Sequence, residues 1–391
     1  MYIGSKKTRL RIAVLQRVCP SYRVALFRQF SETKHVDFRL FIGEDIPESK
    51  VKSAADLTSI KYIKLNTRFI QIGHRIFPWH KGLVDELRHF APDVILCEGE
   101  SHFLGYLQAI YYKLLYNKKV GLMHWCFISL PGELHRLGSV PFKIKSFFRR
   151  YFDAFVVYSS YSKQRLIELG QPQEKIFVAT NVGDVQKFLQ MSASLTESKS
   201  EARKKLKLPE RFTVLYSGTL DENKRPSMLL DMAKVCDSEK FNFVLLGNGL
   251  LFDFLQDRVS HEQLSNVFLP GRVVEDLSLY YRAADVLLIP GRGGIVMSEA
   301  LAFGVPVIVH QADGTEYDLI QEGITGLYVS GDGVSDFHEA VIFLQENQRE
   351  CSNMGINGRK LIENRFTTQN MVNNIIDAAY YTKNMINLNK L

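Results

Sequence analysis

Apolar residues in this chain fall into short runs, and the runs alternate with stretches in which apolar positions recur at helical spacing. In the first half, residues 10–15 (LRIAVL), 37–42, 93–97, 119–124, 154–158 and 175–179 read as strands. Residues 22–30, 81–90, 103–116, 142–152 and 163–169 read as the helices among them. A second series begins with the strand 212–217 (FTVLYS) and continues with strands at 241–246, 267–269, 286–289, 305–309 and 326–329. Its helices fall at 226–236, 251–261, 274–283, 295–303, 317–322, 336–345 and 351–364, and a long helical tail covers 367–388. Alternation of this kind predicts an α/β chain with two doubly wound parallel sheets. The stretch 191–205 is polar, rich in Ser, Glu and Lys, and carries no strand signal, so it reads as a linker. The expected division is a first domain at 1–190, the linker at 191–205, a second domain at 206–365 and a C-terminal helix at 366–391.

One stretch concentrates the candidate chemistry. Residues 284–310 read ADVLLIPGRGGIVMSEALAFGVPVIVH. Two buried runs flank a glycine-rich turn, 291–294, and a short helix, which makes a β-α-β unit. The turn follows the carboxyl end of its strand, where open α/β sheets bind ligands. Backbone N–H groups of Gly293 and Gly294, at the mouth of the helix that opens with Ile295, would attract phosphate. One turn on, Glu299 is a carboxylate among small apolar residues, placed to accept hydrogen bonds from sugar hydroxyls.

Composition narrows the class. The chain has 391 residues, more than one core ordinarily holds, so two domains are expected. Its five cysteines are scattered without a C-x-x-C pair, which points to neither zinc nor a disulfide framework. The apolar run 12–15 is too short for a signal peptide and no run reaches transmembrane length. A cytoplasmic setting is expected, with peripheral attachment to the inner face of a membrane as an addition. The net charge of +7 favours anionic partners. No nucleic-acid motif is present, so nucleic acid is not an expected partner.

The segment SEALAFGVPVI, from Ser298, resembles the signature of family 4 retaining glycosyltransferases. The family pattern is E-x(7)-E followed by A-x-A-x-G-x-P-V. The resemblance implies the GT-B fold: two Rossmann-like domains facing a cleft, with the C-terminal helix crossing back to the N-terminal domain. It also implies that Glu299 binds the donor ribose. The first glutamate of the pattern falls on Gly291, a departure that removes the usual contact to the donor sugar. The segment SGTLDENKRP, from Ser217, resembles the family's G-R-L-x-x-x-K-G, whose Arg and Lys grip the donor pyrophosphate. Lys224 takes the lysine position and Thr219 the arginine position. Arg292, where the family usually has glycine, and Arg225 compete to supply the missing cation. Gly247 opens a G-x-G turn like the one the family places near the donor, and Arg272 follows a segment that resembles the base-binding backbone. In the first half the family often places a histidine near His124, close to the donor sugar.

The catalytic candidates are therefore His124, Lys224 and Arg292. The donor-binding candidates are Thr219, Lys224, Arg225, Gly247, Arg272, Gly291, Arg292, Gly293, Gly294, Ile295 and Glu299. Arg17, Glu98 and Glu100, after two first-half strands, are candidates for the acceptor side. A departing nucleoside diphosphate needs its charge stabilised, and Lys and Arg can do this without a metal. No D-x-D pair occurs, so neither a metal nor a cofactor is expected beyond a nucleotide-diphosphate sugar as substrate. The implied acceptor is a saccharide or a polyprenyl-linked saccharide. Residues 141–152 (PFKIKSFFRRYF) mix cations with aromatics, as helices lying on anionic bilayers do. Two other readings stand beside the transferase: a nucleotide-sugar 2-epimerase of the same architecture, and a GT-B sugar-nucleotide binder without catalysis.

Overall fold

The computed structural model describes residues 9–46, 49, 51–73, 75–99, 103–128, 131 and 139–388, without the side chains of residues 75, 141 and 145. Two compact units form. Of the described residues, the first takes those up to Thr180 except Pro131, and again those from Thr368, and the second is Asn181–Thr367 with Pro131.

Among the described residues, nine strands lie in the first unit: β1 (Leu10–Gln16), β2 (Val36–Ile42), β3 (Tyr62–Lys64), β4 (Thr67–Ile72), β5 (Arg75–His80), β6 (Val94–Glu98), β7 (Gly121–Cys126), β8 (Ala154–Val157) and β9 (Ile176–Val178). Seven of them form a sheet in the order β3-β2-β1-β6-β7-β8-β9, with every pairing parallel. β4 and β5 form a separate antiparallel hairpin. The second unit holds β10 (Phe212–Ser217), β11 (Phe241–Leu246), β12 (Val267–Gly271), β13 (Val286–Ile289), β14 (Val307–Val309) and β15 (Gly326–Tyr328). Their order is β12-β11-β10-β13-β14-β15, again all parallel. Counted within the unit, that is the 3-2-1-4-5-6 order of the dinucleotide-binding fold. Helices cover both faces of each sheet, so central strands are buried on both sides. β11 and β13 are buried at every position, which is why they read as unbroken apolar runs.

The division differs from the expected one at its middle. The stretch expected as a linker contains the helix Lys199–Lys205, and the helix Val185–Ser194 precedes it. Both belong to the second unit, and the chain passes between units at Thr180 and Asn181 instead of near 190. The physical reason is local. Ser198 and Glu201 close a reciprocal capping box that nucleates the helix. Its Arg203 is only 6% exposed and binds Asp285 and Glu210. The C-terminal helix, Thr368–Leu388, lies in the first unit. Its buried stripe of Met371, Val372, Ile375, Ile376 and Ala379 joins the core under β1, β6, β7 and β8. Lys383 pairs with Asp93 at 2.9 Å and Asn374 donates to the Val178 carbonyl at 3.0 Å.

Candidate functional site

β10 and β13 are neighbours at the point where the second sheet's strand order reverses, and ligands of open α/β sheets bind outside the carboxyl ends at such a point. The loops that leave these strands are tied together there. Arg292 N donates to the Asn223 carbonyl at 3.0 Å. Lys224 Nζ donates to the Arg292 carbonyl at 3.3 Å, and Arg225 Nη1 to the Pro290 carbonyl at 3.4 Å. The lack of a side chain at Gly291 permits this approach. A β-carbon there would stand 2.8 Å from Asn223 O and 2.9 Å from the Lys224 carbonyl carbon.

The helix Ile295–Ala302 starts at this seam with Gly294 as its cap residue, so no side chain satisfies its first N–H groups from that position. Lys224 adds a cation beside it. Burial depresses the Lys224 pKa, while Asp313 and Asp221 pull it back up. Asp313, in the loop after β14, is the group that sequence reasoning missed. Its Oδ1 accepts from Thr315 N at 3.1 Å and Thr315 Oγ1 at 2.5 Å. Its Oδ2 faces Gly294, where an added β-carbon would overlap it. Burial raises the carboxyl to about 6, against the pull of Thr315 and Lys224. The neighbouring Glu316 is spent on the loop itself, accepting from Ala312 N at 3.0 Å and Gly314 N at 2.7 Å.

One turn into the same helix, Glu299 Oε2 accepts from the Tyr281 hydroxyl at 3.1 Å. Tyr281 is fully buried and stacks on Phe303, with ring centroids 4.9 Å apart, so it orients the carboxylate from a fixed base. Burial raises the Glu299 pKa, opposed by Tyr281 and by the charge of Lys187. Ser298 Oγ accepts from Gly183 N at 3.2 Å, which brings the segment 181–184 against this helix. Lys224, Gly293, Gly294, Ile295 and Glu299 thus share one edge of one sheet.

Other expected donor residues take varied places. Arg225 adopts a left-handed backbone (φ 54°) and binds Asp332 through its side-chain oxygen at 3.2 Å and its carbonyl at 2.6 Å. In this structure the Arg225 guanidinium thus lies on the loop after β15. Arg292 is half-buried beside Lys224, whereas Thr219 and Arg272 are exposed. Gly247 has φ 145°, and a β-carbon there would overlap the Gly218 carbonyl, so the turn demands glycine.

In the first unit the same reversal of strand order falls between β1 and β6. Glu98 Oε2 there accepts from Arg17 N at 3.0 Å, and Arg17 Nη1 reaches Ser49 Oγ at 3.4 Å. Glu100 lies outside the described residues. His124, expected near the donor sugar, lies among aromatic rings. His124 is 4% exposed, stacks on Phe152 at 4.7 Å and is edged by Tyr106 and Phe155. A β-carbon on Gly99 would overlap its ring, so it packs inside the unit. Among the described residues, no three His, Cys, Asp or Glu side chains gather as metal ligands.

This architecture has solved counterparts. HepE of Anabaena, in complex with UDP, matches with a TM-score of 0.73 at 15% identity, over 94% of this chain and 98% of that one. At that identity the likeness concerns the fold, which is GT-B. Residues 198–361 match the family described as glycosyl transferases group 1. The chain is a glycosyltransferase of the GT-B fold. A 41.2 kDa protein of the cps region of Klebsiella pneumoniae is 26% identical to this glycosyltransferase over 290 residues, covering 71% of this chain and 76% of that protein. The capsular polysaccharide biosynthesis glycosyltransferase CapM of Staphylococcus aureus is 29% identical, over 45% of this glycosyltransferase and 47% of its own length. The D-inositol 3-phosphate glycosyltransferase of Corynebacterium kroppenstedtii is 30% identical, over 52% of this chain and 48% of its own. No described helix is long and apolar enough to cross a membrane.

Proposed function

We propose that the chain transfers a glycosyl group from a nucleotide-diphosphate sugar to a saccharide or polyprenyl-linked saccharide, with retention and without a metal, in surface polysaccharide or glycolipid assembly. The observation that carries this reading is the common seam of Lys224, the turn 291–294 and Glu299 at the switch point of the second sheet. The diphosphate would lie across the N–H groups of Gly293, Gly294 and Ile295, with Lys224 taking up charge as the glycosyl bond breaks. Arg292 is the second cation. Glu299, held by Tyr281, would accept hydrogen bonds from the ribose hydroxyls. Retention follows the resemblance of 298–308 to retaining enzymes. The setting in surface polysaccharide assembly draws on the cps-region and CapM relatives, and the nucleotide on the UDP-bound HepE structure. Arg17 and Glu98, at the corresponding strand ends of the first unit, would stand on the acceptor side. A cytoplasmic enzyme resting on the inner membrane face agrees with the apolar and cationic helix Val140–Arg149.

The test is release of nucleoside diphosphate from a panel of UDP-, GDP-, CDP- and dTDP-sugars, with and without a chelator, followed by chromatography of the products. Replacing Lys224 with Ala should slow transfer by about a hundredfold to a thousandfold, the usual effect of removing one charge-stabilising group. Binding without turnover of any sugar would favour the non-catalytic binder. Interconversion of the donor sugar without an acceptor would favour the epimerase.

A further inference from the structure

Position 291 carries no side chain, and Asn223 O occupies the space beside its α-carbon. A carboxylate for the transferred sugar cannot come from there without moving the Lys224 loop. Asp313 faces the same turn from the other side. Its Oδ1 is fixed by Thr315 N and Oγ1, which sets the plane of the carboxylate and leaves Oδ2 alone. Oδ2 points at the α-carbon of Gly294, and among the described residues it accepts no hydrogen bond from the chain. Asp313 is not a helix cap, because no N–H of the helix Ile295–Ala302 donates to it. Among the described residues no ion pair within 4.0 Å joins it to Lys224, although the Lys224 charge acts on it from farther away.

Burial penalises this half-buried carboxylate, although Lys224 and the helix N-terminus beside it favour the charge. The carboxylate repels the diphosphate, so the part it can favour is the neutral, hydroxyl-bearing part. We propose that Asp313 Oδ2 accepts hydrogen bonds from hydroxyls of the donor's sugar and so selects the transferred group. This inference rests on the donor reading above and deepens it. The cost of keeping the charge agrees with a carboxyl raised to about 6, a mark of groups held for function.

The experiment is calorimetric titration of the wild-type chain and Asp313→Asn with UDP, GDP, UDP-glucose, UDP-N-acetylglucosamine and GDP-mannose. Asparagine preserves the bond to Thr315 and the volume, and nucleotide binding itself reports an intact site. The expected result is selective. Asp313→Asn keeps or improves affinity for the free nucleoside diphosphate, while the nucleotide sugar that the wild type prefers binds about tenfold to a hundredfold more weakly. Equal loss for both ligands, or loss for neither, overturns the assignment of Asp313 and leaves the donor site standing. A wild-type chain that binds none of the five ligands removes the donor reading itself.

Discussion

At the scale of single residues, two carboxyls and one amine at this seam are all displaced toward their neutral forms by burial. For Asp313 the consequence for stability has a definite sign. Its folded pKa, about 6, lies above the ordinary 3.8, so between these values the folded chain holds a proton that the unfolded chain has lost. Stability therefore falls as pH rises through that window and stays reduced above it. Lys224 attracts the ionised form and Glu316 opposes it, but burial outweighs both. Asp313→Asn should raise the unfolding temperature relative to wild type above pH of about 6, and the gap should close below pH of about 4. Thermal melts at both ends of that range check it, and a gap that persists in acid would assign the effect to something other than ionisation. Lys224 and Glu299 were legible from the sequence because each sits in a motif directly after a strand. Asp313 was not. It lies in a short loop, ADGTE, whose composition reads only as a turn, and its meaning comes from Gly294 lying opposite. The surroundings of His124 were hidden for the converse reason: a strand-end position tells nothing of the aromatic rings that close over it.

Elements were legible wherever burial on both faces left a continuous apolar run, as in β10, β11 and β13. The hairpin of β4 and β5 escaped because half of β4 is exposed and both strands mix polar with apolar positions. The polar stretch at 191–205 escaped because its helix is held by end chemistry and ion pairs and shows no apolar stripe. Replacing Ser198 with Ala should cost about 1 kcal/mol, the usual worth of an N-cap, and denaturant titration reads it directly. The loop pair at the donor seam supports a stronger prediction. Gly291→Glu restores the residue type of the family pattern, yet its β-carbon would press on Asn223 O and the Lys224 backbone. The substitution should destabilise the second unit by about 1–3 kcal/mol, as overpacking does, and weaken nucleotide binding by shifting Lys224. Improved binding at unchanged stability would mean that the 218–225 loop is free to move.

At the scale of the whole molecule, the chain has a net charge of +7 and gathers exposed apolar side chains on its first unit. Along the helix Val140–Arg149, Val140, Ile144 and Phe147 recur on one face, exposed by 68%, 47% and 53%. Lys143 and Arg150 stand exposed beside them, and the Arg150 guanidinium lies 3.7 Å from the centroid of the Phe147 ring. Arg149 behaves differently: it is buried, stacked on Phe142 and bonded to Ser146 of its own helix, so it is not available to a surface. Phe148 turns inward onto Phe103, in the helix Phe103–Leu115, which itself exposes Tyr111, Leu114 and Leu115 before Tyr116, Lys118 and Lys119. Apolar side chains and cations presented together fit the headgroup region of an anionic bilayer, where each Lys or Arg contributes about 1 kcal/mol and inserted apolar groups add to it. The wild-type chain should therefore sediment with vesicles containing phosphatidylglycerol, more weakly with phosphatidylcholine alone, and less as salt rises. Because Ile144 and Phe147 are exposed, Ile144→Asp with Phe147→Asp should leave the unfolding temperature and donor turnover in solution unchanged. Vesicle binding should fall by about tenfold or more through lost apolar insertion and added repulsion. Binding that survives this pair would move the contact to the Tyr111–Leu115 side, and binding equal on neutral and anionic vesicles would remove the electrostatic half of the argument.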